Sequence, residues 1–263
     1  MNVAWNDIFK LPEAALEGAR RVPKAALVRA GQLTRKQERS LSKVRAVEHV
    51  ATVQRSTVRI APHVDDEHDI RAVIFLRIEL DGASAAYAEI AGIIHPCFPN
   101  PTALLIEHGD EVCISVAVTR MSLAEHGATV VEDMECTGGF DVRDSRYAPF
   151  LNALAMDNLP QDDLYTYVCG LLWNAKLARA MPQLGFFPQC VSGREGNLAV
   201  LADKAIQLTA ERDALAARRR NSELTLNETA KLRMKQRDVE RKLDDVIGQV
   251  RAICQKGDHL ERH

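Results

Sequence analysis

The sequence predicts an α+β fold, a mixed β-sheet domain with flanking helices, followed by a long C-terminal helix or helical hairpin of coiled-coil type. Three observations predict it. Residues 70–80 (IRAVIFLRIEL) alternate as a strand does. Two further β runs flank His108-Gly109-Asp110. Residues 197–263 hold no proline and set a heptad-like apolar stripe in a heavily charged background.

Taken in order, Pro12 fits the first turn of a helix, and Glu13 to Arg21 reads as a short helix ended before Pro23. Lys24 to Gly31 reads as another. Thr34 with Gln37 three residues on forms a capping-box pattern that opens a helix over 34–46. Residues 49–60 turn β-rich. In the 70–80 strand, Ala72, Ile74, Leu76, Ile78 and Leu80 share one buried face, and Arg77 and Glu79 mark the wetter one. Asp81-Gly82 is a turn signal. Residues 83–94 read as a helix leading into His95-Pro96-Cys97-Phe98-Pro99-Asn100-Pro101, whose prolines oppose regular structure. Residues 103–108 and 112–120 pair as a hairpin, and 129–136 adds a strand. A helix inserted between strands fits a mixed α+β layer. Residues 147–157 and 164–180 are helical, the latter with Tyr165, Val168, Leu172 and Ala175 at three-and-four spacing. The Gly- and Pro-containing stretch 182–196 marks a boundary between a domain over 1–196 and an extension over 197–263.

In the extension, Leu198, Leu201, Ala205, Leu208 and Leu215 form one apolar run. Leu232, Val239, Leu243, Val246, Val250 and Ile253 resume it out of phase. Between them, Arg218 to Ser222 interrupts the stripe. Either one helix passes a stammer, or it breaks into a hairpin near Asn221 with Thr225 and Glu228 capping the second helix. A stripe on a single helix cannot satisfy itself, so it implies a partner, either a second copy as a homodimer or another protein.

At 263 residues the chain can build one good core plus an extension, or two small domains. No run approaches 18 consecutive apolar residues, so no membrane span is expected, and the N-terminus lacks the pattern of a signal peptide. The six cysteines are scattered without a CxxC pair, which favours free thiols in a reducing compartment, the cytoplasm. Charge is strongly partitioned. Residues 1–60 hold 12 Lys and Arg against 5 Asp and Glu, residues 61–196 hold 8 against 20, and residues 197–263 hold 14 against 11. Arg35, Arg39 and Lys43 share a helix face, with Lys36 beside them. Arg218, Arg219 and Arg220, followed by Lys231, Arg233, Lys235 and Arg237, form a second basic set. Phosphate contact needs only such unpatterned charge. The interspersed Glu228, Asp238 and Glu240 suit a coiled-coil flank instead.

No catalytic residue, cofactor or metal site is expected. His63-Val64-Asp65-Asp66-Glu67-His68-Asp69 is dense in ligand types, but it matches no ligand-loop spacing and reads as a solvated acidic loop. A restriction-type nuclease needs an acid-x-Lys on a strand, yet no lysine occurs between Lys43 and Lys176. Cys97 and His95 are two apart on an extended chain, which does not make a catalytic pair. Gly138-Gly139 and Gly193 to Gly196 lack the spacing and the lysine of a phosphate loop. His108 and His126 read as turn residues.

The pieces IFKLP (Ile8 to Pro12), VPK (Val22 to Lys24), IFLRIEL (Ile74 to Leu80) and IIHPCFPNPTALLIEHGDEVCISVAVTRM resemble the bacterial domain-of-unknown-function family 4391. Where that family tends to end the hairpin on a basic pair, this chain has Thr119-Arg120. The resemblance implies a gene neighbour of DNA methyltransferases and helicases in restriction and phage-defence clusters, and no activity. With the helical extension, it points to a non-catalytic accessory or adaptor subunit that assembles through its C-terminal helix. The alternative is a nucleic-acid-binding module acting with a helicase or methyltransferase.

Overall fold

A computed structural model of the chain describes residues 5–82, 86–125, 127–189, 195–220 and 225–258. The chain divides into two compact units, Met1–Lys176 and Leu177–His263. The boundary expected at 196/197 therefore lies inside the second unit.

The first unit begins with helix α1 (Trp5–Phe9), strand β1 (Leu16–Arg21), and helices α2 (Lys24–Ala30) and α3 (Arg35–Leu41). Strands β2 (Val44–Gln54), β3 (His63–Val64), β4 (Asp69–Ile70) and β5 (Ala72–Leu80) follow. Helix α4 (Tyr87–Ile94) then crosses to β6 (Thr102–His108), β7 (Glu111–Met121) and β8 (Thr129–Cys136). Helix α5 (Ala148–Ala153) follows, and the unit ends within helix α6 (Leu164–Arg179), at Lys176. Six strands form one sheet in the order β1-β2-β5-β6-β7-β8, in which only the β5–β6 pair is parallel. The short β3–β4 hairpin stands apart as a two-stranded sheet.

Strand β5 is the centre. Val73 and Phe75 are buried on one face, and Leu76, Ile78 and Leu80 extend the burial to the other. That double burial explains the nearly unbroken apolar run in its sequence. Arg77 sits between Glu48 of β2 and Glu107 of β6. Its guanidinium donates to both carboxylate oxygens of Glu107 at 3.0 and 2.6 Å and to Glu48 at 3.3 Å. These bonds raise the Arg77 pKa further and cross-tie the three central strands.

One face of the sheet packs on α2, α3 and α4 through Leu27, Leu41, Ile90, Ala91 and Ile94. Gly31 ends α2 where there is room for no side chain, since a Cβ there would meet Cys97 Sγ at 2.7 Å. The Cys97 thiol is buried and donates to the carbonyls of Ile93 and Leu27 at 3.1 and 3.4 Å, and burial pushes its pKa up to about 11. Thr34 and Gln37 form the expected capping box on α3.

Two N-terminal expectations are corrected. Residues 16–21 form an antiparallel edge strand on β2, not a helix. Gly18 and Ala19 adopt positive φ (65° and 54°), which no helix accommodates, and the register shifts between Leu16 and Arg20. Helix α3 ends at Leu41 rather than at residue 46, because Val44, Val47 and Val50 are drawn into the core as part of β2.

The second unit holds helical turn α7 (Met181–Leu184) and two long helices, α8 (Glu195–Arg219) and α9 (Leu226–Asp258). The C-terminal stretch is thus a helical hairpin. Thr225 and Glu228 exchange the capping hydrogen bonds that start α9. Arg251 lies over the Phe186 ring at 5.3 Å. No described helix is long and apolar enough to cross a membrane.

Deep in the sheet unit, His95 is fully buried. The Ser115 hydroxyl donates to the Glu135 carbonyl at 2.8 Å, so it accepts from His95 Nε2–H at 2.9 Å. His95 Nδ1 is then left to accept from the Thr102 hydroxyl. The imidazole is neutral and satisfied, and burial pushes its pKa down to about 3. Unfolded, the same histidine takes a proton near 6.5. Below 6.5 the unfolded chain therefore binds the extra proton and the folded chain does not, so this stability is complete above 6.5 and is lost as pH falls toward 3. We expect urea unfolding of a His95→Gln variant to lose stability less steeply with acid than the unmodified chain between about pH 6 and 4. The full difference is about 1.4 kcal/mol per pH unit. Equal slopes would show that His95 is not the group responsible.

Candidate functional site

The segment expected to be a solvated acidic loop is instead the β3–β4 hairpin, closed by the Asp65 side chain. Asp65 Oδ1 accepts the backbone N–H groups of Glu67 and His68 at 2.8 and 2.6 Å, and the Asp65 N–H donates to the His68 carbonyl at 2.9 Å. The carboxylates at 65–67 are exposed, as the sequence suggests, but the turn draws His68 inward until it is buried. The hairpin is tied to its surroundings by backbone bonds. Met121 N–H at the end of β7 donates to the Glu67 carbonyl at 2.8 Å, and Leu164 N–H at the start of α6 donates to the Ala61 carbonyl at 2.9 Å.

This placement brings together residues far apart in sequence. His63 Nε2 lies 3.0 Å from Asp65 Oδ2, and its Nδ1 lies 2.8 Å from Asp163 Oδ2. Asp163 is held in turn, its Oδ1 accepting from Thr166 N–H at 2.8 Å across the first turn of α6. His68 Nδ1 lies 3.1 Å from Asp65 Oδ1, and its Nε2 lies 2.9 Å from Glu132 Oε2 on β8. The Tyr165 ring stacks on His63 at 5.0 Å between centroids and tilts over His68 at 4.5 Å. Burial pushes its phenol up to about 12, so it stays neutral.

With every imidazole nitrogen facing a carboxylate, both rings favour the doubly protonated form. The hydrogen bond to Asp65 raises the His63 pKa, with Asp163 adding to it. For His68, burial opposes the charge, and the bonds to Glu132 and Asp65 outweigh burial. Asp65 is held far below the usual carboxylate range, first by His63 and then by the Glu67 N–H. The ligand atoms of His63, Asp65 and His68 lie within 4.8 Å of one another, as do those of Glu67, His68 and Glu132. Asp163, Glu132 and Tyr165 were invisible to motif reading, because they follow the hairpin by 64 to 102 positions.

The basic residues fall elsewhere. Arg35, Lys36 and Arg39 are exposed on the seven-residue α3. Arg218 and Arg220 are exposed at the end of α8, and Arg219 is half-buried with Nη1 donating to Gln236 of α9 at 2.5 Å. On α9, Lys231 and Lys235 form one exposed row at i, i+4 spacing, and Arg233, Arg237 and Arg241 form another. Arg241 and Lys242 pair with Asp238 at 2.5 and 2.7 Å. Among the described residues, Arg218, Arg220, Lys231, Arg233, Lys235 and Arg237 form no ion pair. Residues 212–242 carry ten Lys and Arg against five Asp and Glu, whereas residues 195–211 and 243–258 carry three against six. The hairpin is thus basic toward its turn and acidic toward its base.

The apolar stripe behaves differently from the expectation. Leu198, Leu208, Leu215, Leu232, Val239, Leu243, Val246 and Val250 are all buried within the folded chain, while Leu201 and Ile253 are half-buried. Two antiparallel helices cover each other's stripes, so the stripe gives no reason for a second copy. Among the remaining candidates, His108 Nε2–H donates to the Gly82 carbonyl beside a turn, at 2.8 Å. Cys190, His126, Asn221 and Ser222 lie outside the described residues.

A mixed six-stranded sheet carrying a histidine–carboxylate cluster, with a charged helical hairpin as a second unit, defines an α+β protein of two compact units. The chain belongs to the family described as a domain of unknown function (DUF4391), whose model matches residues 9–243. No curated protein and no solved structure matches it.

Because the seam is internal, Leu243→Asp should unravel the hairpin rather than separate two chains. An unpaired carboxylate in that seam costs about 3–5 kcal/mol. The expected result is a loss of helical circular dichroism with a melting temperature that does not depend on protein concentration. An unchanged melt would remove Leu243 from the seam.

Proposed function

We propose that this protein is an accessory subunit that grips nucleic acid by its phosphates through the basic end of the α8–α9 hairpin. One observation carries the reading: six exposed cations flank the hairpin turn without ion-pair partners among the described residues. A solvated coiled-coil flank neutralises its charges along the helix, as Asp238 does for Arg241 and Lys242. Among the described residues the rows ahead of Asp238 form no ion pair, and a helix presenting such rows suits the backbone of either duplex or single-stranded nucleic acid. The exposed Arg35, Lys36 and Arg39 of α3 offer a weaker second patch. An enzyme partner, a helicase or DNA methyltransferase of a restriction or phage-defence system, is what the family resemblance implies.

Fluorescence anisotropy with labelled duplex and single-stranded DNA of arbitrary sequence tests this. Binding should weaken by roughly 10³-fold between about 50 and 200 mM salt if some six phosphates are contacted. A combined Arg218→Glu, Arg220→Glu and Lys235→Glu variant should lose binding at all salt concentrations while keeping its helical signal. Absence of binding by the unmodified chain at 50 mM salt would exclude the reading.

A further inference from the structure

The two histidines of the β3–β4 hairpin are held more elaborately than ion pairing requires. Each ring turns one nitrogen toward Asp65 and has the other fixed by a separate carboxylate, Asp163 for His63 and Glu132 for His68. A carboxylate behind an imidazole is the usual way a protein orients a histidine that faces a metal ion and raises its basicity. The central carboxylate is equally fixed, by two backbone N–H groups at 2.8 and 2.6 Å. Tyr165 closes one side by lying against both rings.

We propose that His63 Nε2, His68 Nδ1 and an oxygen of Asp65 form a binding site for one divalent transition-metal ion of the zinc type. Distances support the fit. Taking Asp65 Oδ2 as that oxygen, His63 Nε2 lies 3.0 Å and His68 Nδ1 3.3 Å from it. A tetrahedral ion with bonds of about 2.0–2.1 Å separates its ligand atoms by roughly 3.3 Å, a change of a few tenths of an ångström. The ion takes the place of the protons now shared with Asp65, so one positive centre serves a carboxylate that two imidazolium N–H groups otherwise serve. Two imidazoles with one carboxylate select a borderline ion over Mg²⁺ or Ca²⁺, which prefer all-oxygen sites. Three protein ligands leave a fourth position for water, the arrangement of an open rather than a closed site.

The site is independent of the hairpin cations, so its test is separate. Untagged full-length protein is titrated with Zn²⁺ by calorimetry and, in parallel, with Co²⁺ by visible absorption, which reports the ligand field directly. The unmodified chain should take up one ion per chain with the d–d bands of a nitrogen and oxygen site. A His63→Ala, His68→Ala variant should lose that ion and those bands, while His108→Ala, outside the cluster, keeps both. Asp163→Asn keeps the ligands but removes the group that orients His63, so it should retain the stoichiometry and weaken binding by about 10–100-fold. If the double variant fails to fold, His63→Gln alone, at a half-exposed position, must still abolish the Co²⁺ bands. No uptake by the unmodified chain, thiolate-type charge-transfer bands in place of d–d bands, or uptake unchanged in the histidine variants would each overturn the proposal and leave the cluster as an ion-pair network.

Discussion

The position of β5 constrains everything else in the sheet unit. It is hydrogen-bonded on both edges, antiparallel to β2 and parallel to β6, and buried on both faces. A parallel neighbour demands a crossover, so α4 and the proline-containing segment after it must span the sheet before β6 can begin. Slipping β5 by one residue would exchange its two buried faces and separate Arg77 from Glu48 and Glu107. The register is therefore set by burial and by charge together.

From that frame the histidine–carboxylate cluster follows by geometry. The chain between β2 and β5 carries the β3–β4 hairpin, and backbone bonds to Met121 and Leu164 fix where the hairpin rests. Glu132 arrives from β8 and Asp163 from the start of α6. Three segments with no local relation supply one site. Its rigidity comes from backbone donors and from the capping role of Asp163, not from the loop itself.

Much of the fold was legible because its signals are local. The alternation of β5, the His108-Gly109-Asp110 turn between β6 and β7, the Thr34–Gln37 and Thr225–Glu228 caps and the break between α8 and α9 all depend on residues within a few positions of each other. Residues 16–21 were misread because Leu16, Glu17 and Arg20 carry ordinary helix propensity, and only pairing with β2 shows why Gly18 is there. The cluster was half legible. Its hairpin half, His63 to His68, is dense in sequence, but density of acids usually means solvent. Only tertiary structure adds the buried environment of His68 and the partners Asp163 and Glu132. The apolar stripe signals helices that need cover; between a partner chain and a hairpin the sequence leaves the choice open, and burial of the stripe between α8 and α9 matches the hairpin.

Strand β1 has a consequence for how freely this chain can change. All six of its residues are exposed, so it joins the sheet through main-chain bonds to β2 and almost nothing else. Side chains there are weakly constrained by packing, whereas the left-handed turn at Gly18 and Ala19 bends the strand and breaks up the sheet's outer rim. A straight, apolar replacement of the same length would fold onto β2 just as well and would leave a flat, open template for a neighbouring chain to extend. The irregularity of β1 thus acts as a terminator: it finishes the sheet on that side and keeps it from being copied onward.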